Sequence, residues 1–342
     1  MTTLGSVSYA VTLVLMIIIG NDLKVSKKES HQLLIVFLFF LLPIIFHFIY
    51  YRDYSWFYLI HYVLSIVSGM YLARRFFYIN FKFLLYVVSA IIIIYILFLS
   101  ESGNSEYVNR TYYMVPILVI WLLAVFKDHL LSRKFDVGLL FVVTVISVLS
   151  FSRSAMLSIA VVYLALYISK LVSGKYDVLR LSFLLLTPFV FLIIFALYRD
   201  VFINNDAVVR IGERGLDSGR YAFWLWYVIG LDVKSIFLGA NTYEIWEQLD
   251  TLFFKDNGRH TLHNSFLQLH IHGGIFAVVF ALTMMSQLVR AAKGIESIIV
   301  LSVLFVFMSK VFFDTVLFPQ RFDFLFFSLY FVVLNYIQNN IE

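Results

Sequence analysis

The chain contains no cysteine and very little charge. With no thiol in 342 residues, disulfides, thiolate nucleophiles and cysteine-held metals are excluded. Charged residues make up 14% of the sequence, where a soluble domain carries about 25%. The sequence also lacks an internal repeat, which argues against transporters built from two matched halves. No HExxH pattern is present, and no metal is expected. The first residues, MTTLGSVSYA, lack the basic n-region of a signal peptide, so the first apolar stretch is expected to be a retained helix. What the chain does have is apolar surface: 62% of residues are hydrophobic, 19% are aromatic, and there are 37 Phe and 22 Tyr. Mean hydropathy is +0.90. No soluble core of this length hides that much apolar surface, so lipid is the expected solvent for most of the chain. The net charge of +5 is the ordinary basic excess of membrane loops and calls for no nucleic acid.

Helix-length apolar windows predict an all-α, polytopic transmembrane bundle of about eleven spans. They fall near 4–20, 32–50, 56–73, 83–99, 112–126, 135–151, 154–172, 181–198, 264–289, 295–317 and 322–338. Pro43, Pro116 and Pro188 lie inside these windows and are expected to kink them. The chain divides into spans within 1–198, a long hydrophilic loop at 199–262, and further spans within 263–342. Basic residues alternate between loops. Five short loops of one parity hold 14 of them, including Lys24, Lys27, Lys28, Arg74, Arg75, Lys82 and Lys127. The short loops of the other parity hold only Arg52, Arg110, Arg153 and Arg321. The positive-inside rule therefore puts the first set in the cytoplasm and the long loop outside.

Ionisable groups are costly inside spans and are candidates for function there. His47, His61, Arg153, His263, Lys310 and Asp314 all fall toward the outer ends of their spans, which predicts a polar cavity facing the long loop. Lys310 and Asp314 also have the i,i+4 spacing of a self-neutralising pair. Ser152-Arg153-Ser154 opens a span; free N–H groups and a guanidinium at a helix N-terminus form an anion site suited to pyrophosphate. A snorkelling arginine at a tight turn has the same sequence.

The long loop mixes Arg199, Arg210, Arg214, Arg220, Lys234, Lys255 and Arg259 with nine acids. Within it, YAFWLWYVIG at 221–230 is apolar and aromatic but too short to span, and reads as an interfacial or re-entrant segment. Its Trp and Tyr side chains are suited equally to anchoring in a membrane surface and to forming platforms for sugar rings. Arg220 would sit at the membrane surface. The loop closes on Arg259-His260-Thr261-Leu262-His263-Asn264-Ser265, followed by His270, His272, Gly273 and Gly274. A helix N-terminus disfavours the imidazolium of His263, and a neutral imidazole is what a general base needs. Asn264 is placed to orient a partner or bind a sugar hydroxyl.

In its order of elements the chain resembles the O-antigen polymerase and O-antigen ligase superfamily of bacterial envelope glycosyltransferases. Arg153 to Leu157 is similar to that family's R-x3-L element. His263 to Gly274 is similar to its H-x10-G element, headed by a His-Asn pair. Ser218-Gly219-Arg220 through the Trp-rich segment to Leu238-Gly239 resembles the family's loop helix and turn. The resemblance covers most of the chain in topology, with about eleven spans where twelve or more are common. It implies an inverting, metal-independent glycosyl transfer without cofactor at the periplasmic face of the bacterial inner membrane. The donor would be an undecaprenyl-pyrophosphate-linked oligosaccharide. The acceptor would be another lipid-linked repeat (polymerase) or the lipid A core (ligase), and a polymerase would be expected to work with a chain-length regulator protein. His263 would be the base. Arg153 and Arg220 would hold the pyrophosphate, with Arg210, Arg214 and Asn264 as further substrate contacts. A flippase or exporter of lipid-linked sugars is the alternative from another class.

Overall fold

The computed structural model describes residues 25–52, 55–99, 114–150, 153–172, 220–249, 264–292, 297–313, 317 and 323–339. Among these the regular structure is entirely helical. We number the helices α1 (Lys27–Tyr51), α2 (Ser55–Arg75), α3 (Phe81–Leu99), α4 (Met114–Leu130), α5 (Val137–Leu149) and α6 (Arg153–Val172). The loop contributes α7 (Arg220–Ile229), α8 (Val233–Leu238) and α9 (Thr242–Leu249), and α10 (Ser265–Ala291), α11 (Ser297–Phe313) and α12 (Asp323–Asn339) follow. Nine of the eleven expected spans therefore have a helix at their place; those at 4–20 and 181–198 lie outside the described residues.

By length and composition, α1 and α10 are apolar enough to cross a membrane, among the described residues. Burial separates them from the core helix of a soluble protein. Only 28% of the most apolar window of α1 is buried, and 44% of that of α10. Phe39, Phe46 and Ile49 on α1 and Phe276 and Val279 on α10 are exposed. Apolar side chains on the outside of a bundle are stable in lipid and unfavourable in water.

α1 begins earlier than the apolar window because Ser26 and Glu29 form a capping box, with Glu29 N–H donating to Ser26 Oγ at 3.2 Å and Ser26 N–H to Glu29 at 2.8 Å. Pro43 is accommodated by a π-helical stretch at Phe37–Leu41, separated from it only by Leu42. Pro116 sits in the first turn of α4, where its missing N–H has no intrahelical partner to lose, so no kink is needed. α5 is capped by Asp136, which accepts from Gly138 N–H.

The chain forms two compact units that cut across the order of the sequence. One comprises residues 1–76, 219–291 and 311–342, and the other 77–218 and 292–310. In the first, α2 and α12 pack most intimately: a Cβ at Gly69 would meet Phe327 Cβ at 2.6 Å, so only glycine allows that approach. Arg74 at the end of α2 pairs with Glu29 at the start of α1 at 2.7 Å, and Gln32 donates to Asn335 near the end of α12. The basic end of α2, the start of α1 and the end of α12 thus share one end of this unit. At the opposite end, His61 of α2 meets Asp323, the first residue of α12, at 3.1 Å, both buried. In the second unit, Lys82 at the start of α3 bridges Asp128 near the end of α4 (2.8 Å) and Asp136 at the start of α5 (3.2 Å). Both units therefore gather helix ends of the same expected parity.

Candidate functional site

The end of the first unit that carries His61 and Asp323 also receives the loop helices. α7 is apolar on two sides. Trp224 and Tyr227 are buried with Ala240 and Ile271, and Trp226, Leu231, Ile245, Trp246 and Leu267 pack around them. Leu225, Val228 and Ile229 point outward, as do Val233 and Phe237 of α8. Phe237 lies 5.9 Å from Phe276 of α10, ring centre to ring centre, so this outward face continues the exposed apolar face of a spanning-length helix. A helix apolar on both sides is stable where one side meets protein and the other meets lipid.

Backbone contacts clamp α8 onto α10. At Gly274 the backbone of α10 breaks its helical path, with φ 60° and ψ −164°, a region open essentially only to glycine. A Cβ there would lie 1.9 Å from the carbonyl oxygen of Phe237 and 3.0 Å from the backbone nitrogen of Gly239. Gly239 itself has φ 85°, and a Cβ on it would lie 2.3 Å from the Ile271 carbonyl. Ala240 N–H donates to that carbonyl at 3.2 Å. The two segments singled out in the sequence, Ser218 to Gly239 and His263 to Gly274, therefore meet at their glycines.

Three side chains fasten the same junction. His47 Nδ1–H donates to the Leu238 carbonyl at 2.8 Å, and Tyr51 donates to the Gly239 carbonyl at 3.0 Å. His270 Nε2–H donates to the Ile236 carbonyl at 3.2 Å, while its Nδ1 accepts from the Tyr227 hydroxyl at 2.8 Å. Both nitrogens of His270 are engaged as in a neutral imidazole, and burial pushes the Tyr227 phenol far above its usual range, so it stays a donor. These histidines hold the loop rather than offering a base. Tyr227→Phe removes the donor and leaves a buried acceptor on His270. The expected result is a loss of about 1–3 kcal/mol, read as a lower unfolding temperature in detergent. An unchanged midpoint would show that this bond does not hold α7.

Asn264 is buried, and its side-chain oxygen accepts from the N–H groups of Phe266 (2.9 Å) and Leu267 (3.0 Å). It caps α10 and so fixes where the helix begins. Ser265 Oγ accepts from Leu317 N–H at 3.1 Å. Arg220 is the first residue of α7 in this unit, and Arg153 the first residue of α6 in the other. His263, Arg210, Arg214 and Asp314 lie outside the described residues. Among the described residues no group of three His, Asp or Glu is arranged to hold a metal ion.

Sequence reasoning missed a cleft beside this junction. It has a volume of about 450 Å³ and lies between the end of α1, the α7–α8 turn and α9. Asp232, the cap of α8, accepts from Ser235 N–H at 2.7 Å. Hydrogen bonds from the Ser235 hydroxyl and N–H hold its carboxyl below the usual range. The Lys234 ammonium lies 4.0 Å from the centre of the Tyr50 ring and 5.6 Å from that of Tyr51, and its hydrogen bond to Tyr50 raises its pKa. The signal available in the sequence was the alternation of Trp, Tyr and acids through 226–248, but the Tyr50-Tyr51 wall comes from a distant helix.

Comparison with family models, with curated proteins and with solved structures found no match to this chain.

Proposed function

We propose that this protein is a polymerase of surface-polysaccharide repeat units, acting as a multi-pass protein of about eleven spans in the bacterial inner membrane with its site facing the periplasm. The observation that carries the reading is the meeting of Gly239 and Gly274. It seats an aromatic helix opened by Arg220 on the helix that His263 and Asn264 introduce. The two-faced apolar character of α7 adds to it, since a lipid-linked donor has to be met at the membrane surface.

In this reading a sugar hydroxyl of one lipid-linked repeat attacks the anomeric carbon of the glycan on undecaprenyl pyrophosphate. The new glycosidic bond forms as the bond to the pyrophosphate oxygen breaks, and that oxygen leaves with the electron pair. Configuration inverts, and the hydroxyl proton passes to His263. Arg220, in the same unit as Asn264, absorbs the charge developing on the pyrophosphate, a task guanidinium groups perform through bidentate hydrogen bonds. Asn264 positions the base through the cap of α10.

Profiling the surface glycan of a deletion strain tests the reading. A single repeat unit on the lipid A core is expected. Lipid-linked polymer accumulating beside a bare core would replace the polymerase with a ligase. Absence of lipid-linked glycan outside the membrane would replace it with a flippase.

A further inference from the structure

We propose that the cleft between the end of α1, the α7–α8 turn and α9 is a glycan-binding subsite, occupied by a neutral or amino-sugar oligosaccharide. The inference rests on the polymerase reading only for which glycan fills it, namely the acceptor or growing chain. At about 450 Å³ the cleft is of small-ligand size.

Its walls suit a polyol with one apolar face. Tyr50 and Trp226 supply aromatic surface, and Asp232, Asn241, Glu244 and Gln248 supply acceptors and amides around it. A pyranose presents C–H groups on its faces and hydroxyls around its edge, so flat aromatic rings and edge-on carboxylates match it in shape and in hydrogen-bonding capacity. Asn241 donates to Glu244 at 3.0 Å and accepts from Tyr243 N–H at 3.0 Å, which fixes the carboxylate before any ligand arrives. Glu244 and Gln248 line the cleft and are exposed.

The charge balance excludes the pyrophosphate end of the donor. Asp232 and Glu244 bring two carboxylates against the single ammonium of Lys234, which is already engaged with the faces of Tyr50 and Tyr51. An anion would meet net negative charge here, whereas uncharged sugar rings would not. The cleft also lies on the same loop helices that the glycine junction fastens to α10, so a glycan bound in it is held by the elements that carry the proposed chemistry.

The test uses the full chain in lipid nanodiscs and saturation-transfer NMR, which reads binding without turnover. The probe is the oligosaccharide mixture released by mild acid from the total surface glycan of the source strain. Binding to the unaltered protein is expected. It should weaken by about tenfold in Tyr50→Ala and in Glu244→Ala. Tyr50 is 53% exposed and Glu244 is exposed, so neither change disturbs the core. Inorganic pyrophosphate should not compete. No binding by the unaltered protein, binding by both variants as tight as that of the unaltered protein, or competition by pyrophosphate would each overturn the glycan subsite. His263→Ala separates the two readings. Glycan binding kept with polymerisation lost supports both. Binding kept with polymerisation also kept removes His263 as the base and leaves the subsite standing. Polymer made by a protein that binds no glycan in the cleft removes the subsite and leaves the chemistry standing.

Discussion

Gly274→Ala should unseat the loop helices from α10 and abolish glycan synthesis. Two costs combine. The alanine must hold φ 60° and ψ −164°, a conformation that costs a non-glycine residue about 1–3 kcal/mol. Its Cβ would also fall 1.9 Å from the Phe237 carbonyl oxygen, a backbone atom that cannot swing aside as a side-chain tip does. Either α10 straightens or α8 lifts away. Lifting α8 breaks the Ala240 to Ile271 hydrogen bond together with the clasps from His47, Tyr51 and His270. Hydrogen exchange should then rise across 231–240 while the ends of α1 and α2 that carry Glu29 and Arg74 keep their protection. Gly230→Ala is the control, because the nearest atom to its Cβ, Trp226 O, would be 3.3 Å away. That variant should keep most of its exchange protection. A Gly274→Ala protein with normal protection at 231–240 and normal product would show that the junction is not needed.

The contrast between these two glycines marks what the sequence makes legible. Long apolar windows survive any tertiary context, because a backbone in lipid has no alternative to the helix. The windows at 56–73, 83–99 and 264–289 accordingly match α2, α3 and α10 to within two residues at every end. An end set by local chemistry escapes the hydropathy window, which begins at 32: the early start of α1 follows from Ser26 and Glu29, three residues apart. Roles set by distant partners are not legible either. His270 owes its engagement to a carbonyl 34 residues away and His47 to one 191 residues away, and nothing local distinguishes either from a catalytic imidazole. The break at Gly274 is likewise invisible in a window that reads as one continuous helix. It exists because α8 presses a carbonyl against that position. Asn264 falls between these cases. Its place in the sequence suits it to orienting a partner or binding a sugar hydroxyl, while its side chain caps α10; a sugar contact would depend on residues far off in the chain.

His263→Ala is expected to lower polymerisation by about 10²–10⁴-fold, the usual value of a general base, with membrane insertion and folding unchanged. The residue precedes the capped first turn of α10, and Asn264 closes that turn through its own side chain, so removing the imidazole leaves the helix start intact. The positive end of a helix disfavours a second positive charge, which is why a base is expected at this point of the sequence. If proton removal is its task, the loss should appear in kcat at saturating lipid-linked donor and not in KM. Asn264→Ala, by contrast, should cost about 0.5–2 kcal/mol of stability through the lost cap and lower turnover by shifting the base. Its defect should therefore track folding as well as rate. His263→Gln discriminates further: it retains a polar side chain that hydrogen-bonds but accepts no proton, so it should be as inactive as alanine. Turnover near normal in His263→Gln would assign His263 to substrate positioning, and turnover near normal in His263→Ala would remove it from the site altogether.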